Sequence, residues 1–199
     1  PWSLVGSEMC IRDSINPMIK KLKNLNISVG AQNCHESKIY DACTGFVNSK
    51  MLKDVGASYV IIGHSENRNL GETDKLINVK IKVALKFGLK VIFCIGEKLH
   101  EKRKKITKQI LNKQITHGLN GINDKKNILI AYEPVWSIGT GLIPKYKELF
   151  STISFIKKKY VSYKVLYGGS VNSKNINELK LVKNLDGFLI GGASQDPKK

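Results

Sequence analysis

Arginine is almost missing from this chain. Of its 33 basic residues only Arg12, Arg68 and Arg103 are arginine; the rest are lysine. The scarcity matters because the formal net charge is +17, a balance that invites a nucleic-acid partner. Bidentate recognition of bases and phosphates favours the planar guanidinium, and the lysines here are spread over many segments. The densest cluster, residues 98–108, carries Leu99 and Ile106, with Ile110 and Leu111 just beyond. It reads as the solvated face of an amphipathic helix. Nucleic acid is therefore not an expected partner, whereas a positive field that draws in an anionic substrate is.

Other absences narrow the class further. No apolar run approaches the roughly 20 residues that span a bilayer, so no membrane partner is expected. Residues 1–14 lack the basic start and apolar stretch of a secretory signal. Cys10, Cys34, Cys43 and Cys94 form no Cys-x-x-Cys pair. Cys34 and His35 are adjacent, but no second pair stands at zinc spacing, so no metal is expected. Free thiols in a reducing, cytoplasmic compartment are the simplest reading.

What is present is an α/β pattern. At 199 residues with 42% apolar content, one domain can bury a real core. Short apolar runs at residues 27–31, 59–62, 91–95, 128–132, 164–167 and 187–190 read as strands. Their near-continuous apolarity suits a parallel sheet covered on both faces. Helical patterns fall at 17–25, 49–55, 74–87, 98–119, 145–160 and 173–183. Asn48, Thr73 and Asn172 are their expected N-caps, and Gly56, Gly88 and Gly118 their expected stops.

Alternation alone does not choose between an open sheet and a closed barrel. The motif positions choose. Asn33, His64, Glu133 and Ser170 each sit just past a strand, and Gly191-Gly192 follows another. Chemistry drawn from many strand ends is the habit of the (β/α)₈ barrel, whereas an open sheet concentrates it at one crevice. Such a barrel takes about 250 residues. The expected fold is therefore an incomplete (β/α)₈ barrel with about six βα units in residues 15–199, preceded by an unrelated leader over residues 1–14.

Two segments carry the chemistry. Residues 128–132 form an apolar strand that ends in Glu133-Pro134-Val135-Trp136-Ser137-Ile138-Gly139-Thr140-Gly141. A carboxylate at a strand tip, beside a loop with a Trp anchor and bare glycine amides, suits a general base with a lid. Glu133 is the expected base, and Gly139 offers its amide to a phosphate. The second segment is Gly63-His64-Ser65-Glu66. If Ser65 begins a helix, its amides keep the His64 ring neutral, and His64 can polarise a carbonyl. Tyr167-Gly168-Gly169-Ser170 and Gly191-Gly192-Ala193-Ser194 follow consecutive strands. Such paired glycines let amides approach an anion, which makes Ser170, Gly191 and Gly192 phosphate candidates, with Leu189 packed beside them. In Cys94-Ile95-Gly96-Glu97, Cys94 reads as core and Glu97 as support for the site. Ser65, Glu66, Trp136 and Tyr167 are further supporting residues. His35, His100 and His117 have no comparable context.

These motifs, with Val29-Gly30-Ala31-Gln32-Asn33, resemble the triosephosphate isomerases from about Ile15 to Ala193. The resemblance implies interconversion of two triose phosphates in glycolysis and gluconeogenesis, without metal or organic cofactor. It implies Glu133 as base, His64 as electrophile, and Gly139, Ser170, Gly191 and Gly192 on the phosphate. It also implies a homodimer of the whole protein through the loop from His35 to Phe46. Phe46 and Asn67 stand where the family commonly has Glu and Arg, which suggests a swapped local contact. The family's first strand ends in an Asn-x-Lys element that is not found ahead of residue 30 here. The expectation for this literal chain is weak or absent turnover. The alternatives are another phosphate-binding barrel enzyme, or a non-catalytic fragment that only associates with other subunits.

Overall fold

The computed structural model describes residues 4–7, 15–37 and 42–194, with only the backbone of residues 4–7. In chain order the strands are β1 (Leu4–Ser7), β2 (Gly30–Ala31), β3 (Tyr59–Ile62), β4 (Lys90–Ile95), β5 (Ile128–Tyr132), β6 (Lys164–Tyr167) and β7 (Gly187–Ile190). The helices are α1 (Ile15–Leu22), α2 (Ser49–Asp54), α3 (Ser65–Asn69), α4 (Asp74–Lys86), α5 (Leu99–Arg103), α6 (Thr107–Gly118), α7 (Tyr146–Lys159) and α8 (Ile176–Leu179). The chain divides into two compact units. The first comprises residues 1–9, 94–115 and 129–199; the second comprises 10–93 and 116–128.

In the first unit β1, β7, β6 and β5 pair in that order, all parallel. Their side chains explain the arrangement. Every described residue of β5 and β6 is buried or half-buried except Lys164 at the entry, because helices cover parallel sheets on both faces. Val165, Leu166, Tyr167, Phe188 and Leu189 join Leu149, Ile153 and Ile156 of α7 in the core. The α7 residues recur at i, i+4 and i+7, which is the apolar stripe of a helix packed on a sheet. Asp186 ties the unit's edge by accepting from the Val165 amide at 2.7 Å and from Lys157 Nζ at 2.8 Å.

The second unit holds β2, β3 and the opening four residues of β4, again parallel. Its main cover is α4, whose Ile77, Lys80, Ile81, Val83 and Ala84 are buried. Asn48 and Thr73 cap α2 and α4 as expected, accepting from the amides of Met51 and Leu76 at 3.0 and 3.2 Å. Gly56 and Gly88 follow those helices with φ of +97° and +74°.

Several elements differ from the sequence expectation, each for a local reason. Residues 1–14 carry no strand signal, yet Leu4–Ser7 pairs with Gly187–Ile190; four residues are too few to show a period. The strand expected over 27–31 keeps only Gly30–Ala31, while Leu25 and Ile27 are more than half exposed. The single helix expected over 98–119 is two. Lys105 takes φ +59° and stops α5, as a left-handed residue after a helix does. The helix expected over 173–183 shrinks to α8. Asn172 caps no helix; its Oδ1 accepts from the amides of Lys174 and Asn175 at 2.9 and 3.2 Å in a local turn.

Candidate active site

The first unit gathers most of the residues marked by the sequence. Glu133 stands one position past β5 and is only 3% exposed. Its amide donates to Ile95 O at 2.8 Å, which fixes the carboxylate's backbone against the end of β4. The end of β6 backs the side chain. A Cβ on Gly168 would lie 2.7 Å from Glu133 Cγ and 2.8 Å from Oε1, so only glycine lets the turn and the carboxylate approach this closely.

Glu97 lies under the same loop and is almost fully buried. It accepts from Trp136 Nε1 at 2.9 Å and from the Tyr132 phenol at 3.2 and 3.3 Å. Burial raises its carboxyl above the ordinary value of 4.5, against the lowering effect of those donors and of Lys102. Lys102 Nζ sits 3.6 Å from the centroid of the Trp136 ring and 3.1 Å from Glu148. The indole is thus held by a hydrogen bond at its edge and a cation on its face. Tyr132 is pushed well above its ordinary value, first by burial and then by the Glu97 charge, so it remains a donor. Cys94 is buried in the core, as expected.

A raised carboxyl has a signed consequence for stability. The fold binds the Glu97 proton more tightly than the unfolded chain does. Its contribution is therefore complete below about 4.5 and is lost as pH rises through the folded value. Glu97→Gln keeps an acceptor for the indole and removes the titration. Urea denaturation at several pH values above 4.5 should then show a flatter decline for the variant than for the parent; parallel curves would refute the assignment.

The loop after Glu133 is a short 3-10 turn, Val135–Ser137, started by Pro134. Gly139 and Gly141 follow with φ of +69° and +76°, and a Cβ on either would meet no atom within 4 Å. Gly139 is exposed and presents a bare backbone to the open side. Tyr167 and Ser170 bracket the opposing turn, and Ser170 Oγ accepts from the Gly141 amide at 3.1 Å. Beyond β7, Gly191 and Gly192 also have open space where a side chain would stand. Gly192 starts a short turn closed by Ser194, whose hydroxyl donates to Gly191 O at 2.7 Å. Leu189 is buried in the strand between these turns.

His64, Ser65 and Glu66 belong to the second unit. Ser65 begins α3, as the electrophile reading requires, and His64 is its N-cap. The Glu66 amide donates to His64 Nδ1 at 3.3 Å. A donor aimed at Nδ1 needs a lone pair there, which places the ring's N–H on Nε2. The imidazole side chain is 10% exposed. Glu66 points outward, with 80% of its side chain exposed, and its Oε2 is 3.9 Å from Nδ1. Arg68 braces the segment, donating through Nε to Gly63 O at 2.7 Å and pairing with Asp74 at 2.7 Å. Phe46 is 61% exposed and lies against His35, ring centroids 4.5 Å apart. Residues 38–41 of that loop lie outside the described residues, as do Cys10, most of the expected leader and residues 195–199.

Two groups escape a reading by motif. Lys80 is buried on α4, paired with Glu72 and 3.2 Å from Asn33 Oδ1. Its position three residues after Ile77 was the available signal. Ser137 is fully buried in the turn after Glu133; a hydroxyl between Trp136 and Ile138 was the available hint. Among the described residues no cluster of three or more His, Cys, Asp or Glu could hold a metal, and no helix is long and apolar enough to cross a membrane.

Comparison with known proteins gives the family and the fold class. The family model described as triosephosphate isomerase matches residues 11–199. The triosephosphate isomerase of Carboxydothermus hydrogenoformans is 44% identical over 190 residues, covering 89% of this chain and 75% of the relative. That of Dictyoglomus thermophilum is 45% identical over 192 residues, covering 90% and 76%. A crystal structure of triosephosphate isomerase from Bartonella henselae matches with a TM-score of 0.86 and 34% identity, covering 96% of this chain and 80% of the other. These matches give the fold class as an incomplete (β/α)₈ barrel and identify the chain as an enzyme of the isomerase class. By family match, sequence identity and fold together, the chain belongs to the triosephosphate isomerase family.

Proposed function

We propose that the whole protein interconverts dihydroxyacetone phosphate and D-glyceraldehyde 3-phosphate in the cytoplasm, as a step of glycolysis and gluconeogenesis. The observation that carries this reading is the Glu133 carboxylate, buried at the tip of β5 with Gly168 closing behind it. A carboxylate held out of water is a stronger base. Glu133 removes the proton from the carbon beside the carbonyl, and that C–H electron pair forms the carbon–carbon double bond. The carbonyl π pair moves onto oxygen, giving an enediolate. The oxyanion takes up a proton, and the neighbouring hydroxyl gives one up as its C–O bond becomes the new carbonyl. The carbon-bound proton returns to the former carbonyl carbon, so no atom or electron is gained or lost. His64 donates from Nε2 to the developing oxyanion. The amides of Gly139, Gly191 and Gly192 hold the phosphate, and the Ser170 hydroxyl joins them by turning its proton away from Ser137 O.

For the 199 residues by themselves the reading is weak turnover. No Asn-x-Lys element precedes β2, and losing one preorganised donor to a developing charge costs about 3 kcal/mol. The whole protein assembles as a homodimer through the loop from His35 to Phe46, where the exposed Phe46 supplies apolar contact. The test is a titration with 2-phosphoglycolate, a phosphorylated mimic of the enediolate, followed by a coupled isomerase assay and sedimentation. Saturable binding with turnover far below full-length family members is expected. A chain that ignores the mimic at millimolar concentration would leave the non-catalytic alternative standing. A monomeric full-length protein would remove the dimer.

A further inference from the structure

Gly96 follows β4 directly and lies flat against the backbone of Glu133. A Cβ on it would stand 1.8 Å from Glu133 O and 2.7 Å from Glu133 C, so no side chain is admitted there. The carbonyls on either side hold the same segment. Ile95 O accepts from the Glu133 amide at 2.8 Å, and Glu97 O accepts from the Val135 amide at 3.0 Å. Residues 95–97 are thus the template along which residues 133–135 leave β5. Those bonds use the carbonyls that face β5. Gly96, one place between them, directs its own N–H and C=O to the other side, because alternate residues of an extended chain bond to opposite neighbours.

One side chain takes both groups. The Gly96 amide donates to Gln114 Oε1 at 2.9 Å, and Gln114 Nε2 donates to Gly96 O at 3.0 Å. The two-point fit fixes which end of the side-chain amide is oxygen, since a peptide N–H needs an acceptor and a peptide C=O needs a donor. A glutamine offers one of each, as the peptide of a neighbouring strand would. Gln114 is itself well held. It is half-buried on α6, between Leu111 and Ile115, which are 0% and 1% exposed.

We propose that Gln114 is a positioning residue for the Glu133 carboxylate, acting from α6 through Gly96. Its effect on proton transfer rests on the reading of Glu133 as the base; its hold on the backbone does not. With Gln114 gone, Gly96 loses both partners and the template carbonyls at 95 and 97 loosen with it. The Glu133 side chain is backed by Gly168 on one side only, so a shift of its backbone moves the carboxylate. Misplacing a reacting group by about 1 Å can cost on the order of 10²-fold in rate.

Gln114→Met keeps the length and volume of the side chain and removes both bonds. The first measurement is amide hydrogen exchange of the ligand-free chain, read at Glu133 and Val135, whose amides bond to Ile95 and Glu97. Their exchange should speed about tenfold while amides of β7 keep their protection. Parental exchange at these two amides overturns the proposal, and so does an equal rise across β7, which would report general loss of stability. If the methionine variant does not fold, Gln114→Glu at mildly alkaline pH decides. It keeps the shape and an acceptor for the Gly96 amide but has no donor for Gly96 O. Faster exchange at Glu133 and Val135 supports the role, and parental exchange there overturns it.

The second measurement is exchange of the carbon-bound proton of dihydroxyacetone phosphate with D₂O, set beside the affinity for 2-phosphoglycolate. Gln114→Met should slow the substrate's exchange about tenfold or more and change the affinity far less. Parental substrate exchange, or equal losses in exchange and affinity, overturns the effect on proton transfer. If Glu133→Gln exchanges substrate at the parental rate, the base reading fails instead, and the amide measurement alone judges the hold of Gln114 on the backbone.

Discussion

Lys80→Met is expected to lower the stability of the protein by about 3–5 kcal/mol, the cost of stranding one partner of a buried ion pair. The Lys80 and Glu72 side chains are only 7% and 5% exposed. The ammonium also reaches Asn33 Oδ1 at 3.2 Å. Asn33 in turn accepts from the Cys34 amide at 2.8 Å, so the pair supports the segment that follows β2. The Cys34 thiol beside it is raised first by burial, with the Ser49 hydrogen bond and the Lys80 charge opposing. Methionine fills the aliphatic volume of lysine but leaves the Glu72 charge without its cation. Adding Glu72→Gln should recover most of the loss, since replacing a whole buried pair by uncharged groups is often close to neutral. The check is urea denaturation of parent, both single variants and the double variant. A midpoint shift at constant slope reports stability alone, and the cycle isolates the pair's coupling. Additive losses, or a Lys80→Met variant within about 1 kcal/mol of the parent, would show that the pair contributes little.

The pair also shows where sequence reading stops. Ile77, Ile81 and Ala84 mark the inner face of α4 by their spacing, and Lys80 falls on that face. Charge alone argues that a lysine points outward; only its tertiary partner, eight residues earlier, reverses this. The strand tips were legible for the opposite reason. Glu133, His64, Ser170 and the paired glycines follow apolar runs directly, so local order places them at ends without knowledge of the fold. The break between α5 and α6 was not legible, because it turns on Lys105, a residue with no turn chemistry of its own. Nor was β1, whose partner strand lies at the other end of the chain. Ser137 stood in plain view inside the most informative stretch, but its three bonds come from Leu142, Tyr167 and Ser170, and no spacing rule reports them.

Glu133→Gln is expected to cut proton transfer by about 10²–10⁴-fold, the range a positioned general base supplies. The substitution keeps shape and volume in a place with little tolerance for either: the Gly168 backbone packs against the side chain, and the Glu133 amide holds Ile95 O at 2.8 Å. Any loss therefore belongs to basicity rather than to a displaced loop. Exchange of the carbon-bound proton of dihydroxyacetone phosphate with D₂O, followed by NMR, reads this step even where net turnover is slow. The parent chain should exchange measurably above solvent background and Glu133→Gln should not. Binding of 2-phosphoglycolate separates the possible causes. If the lid over residues 136–142 and the glycine turns hold the phosphate, the variant still binds it through Gly139, Ser170, Gly191 and Gly192, with affinity changed far less than exchange. A glutamine variant that exchanges at the parental rate would remove Glu133 from the chemistry. Intact binding beside abolished exchange would place the carboxylate on the proton and the glycines on the anion, the division of labour proposed for the buried Glu133 and the open Gly139, Gly191 and Gly192.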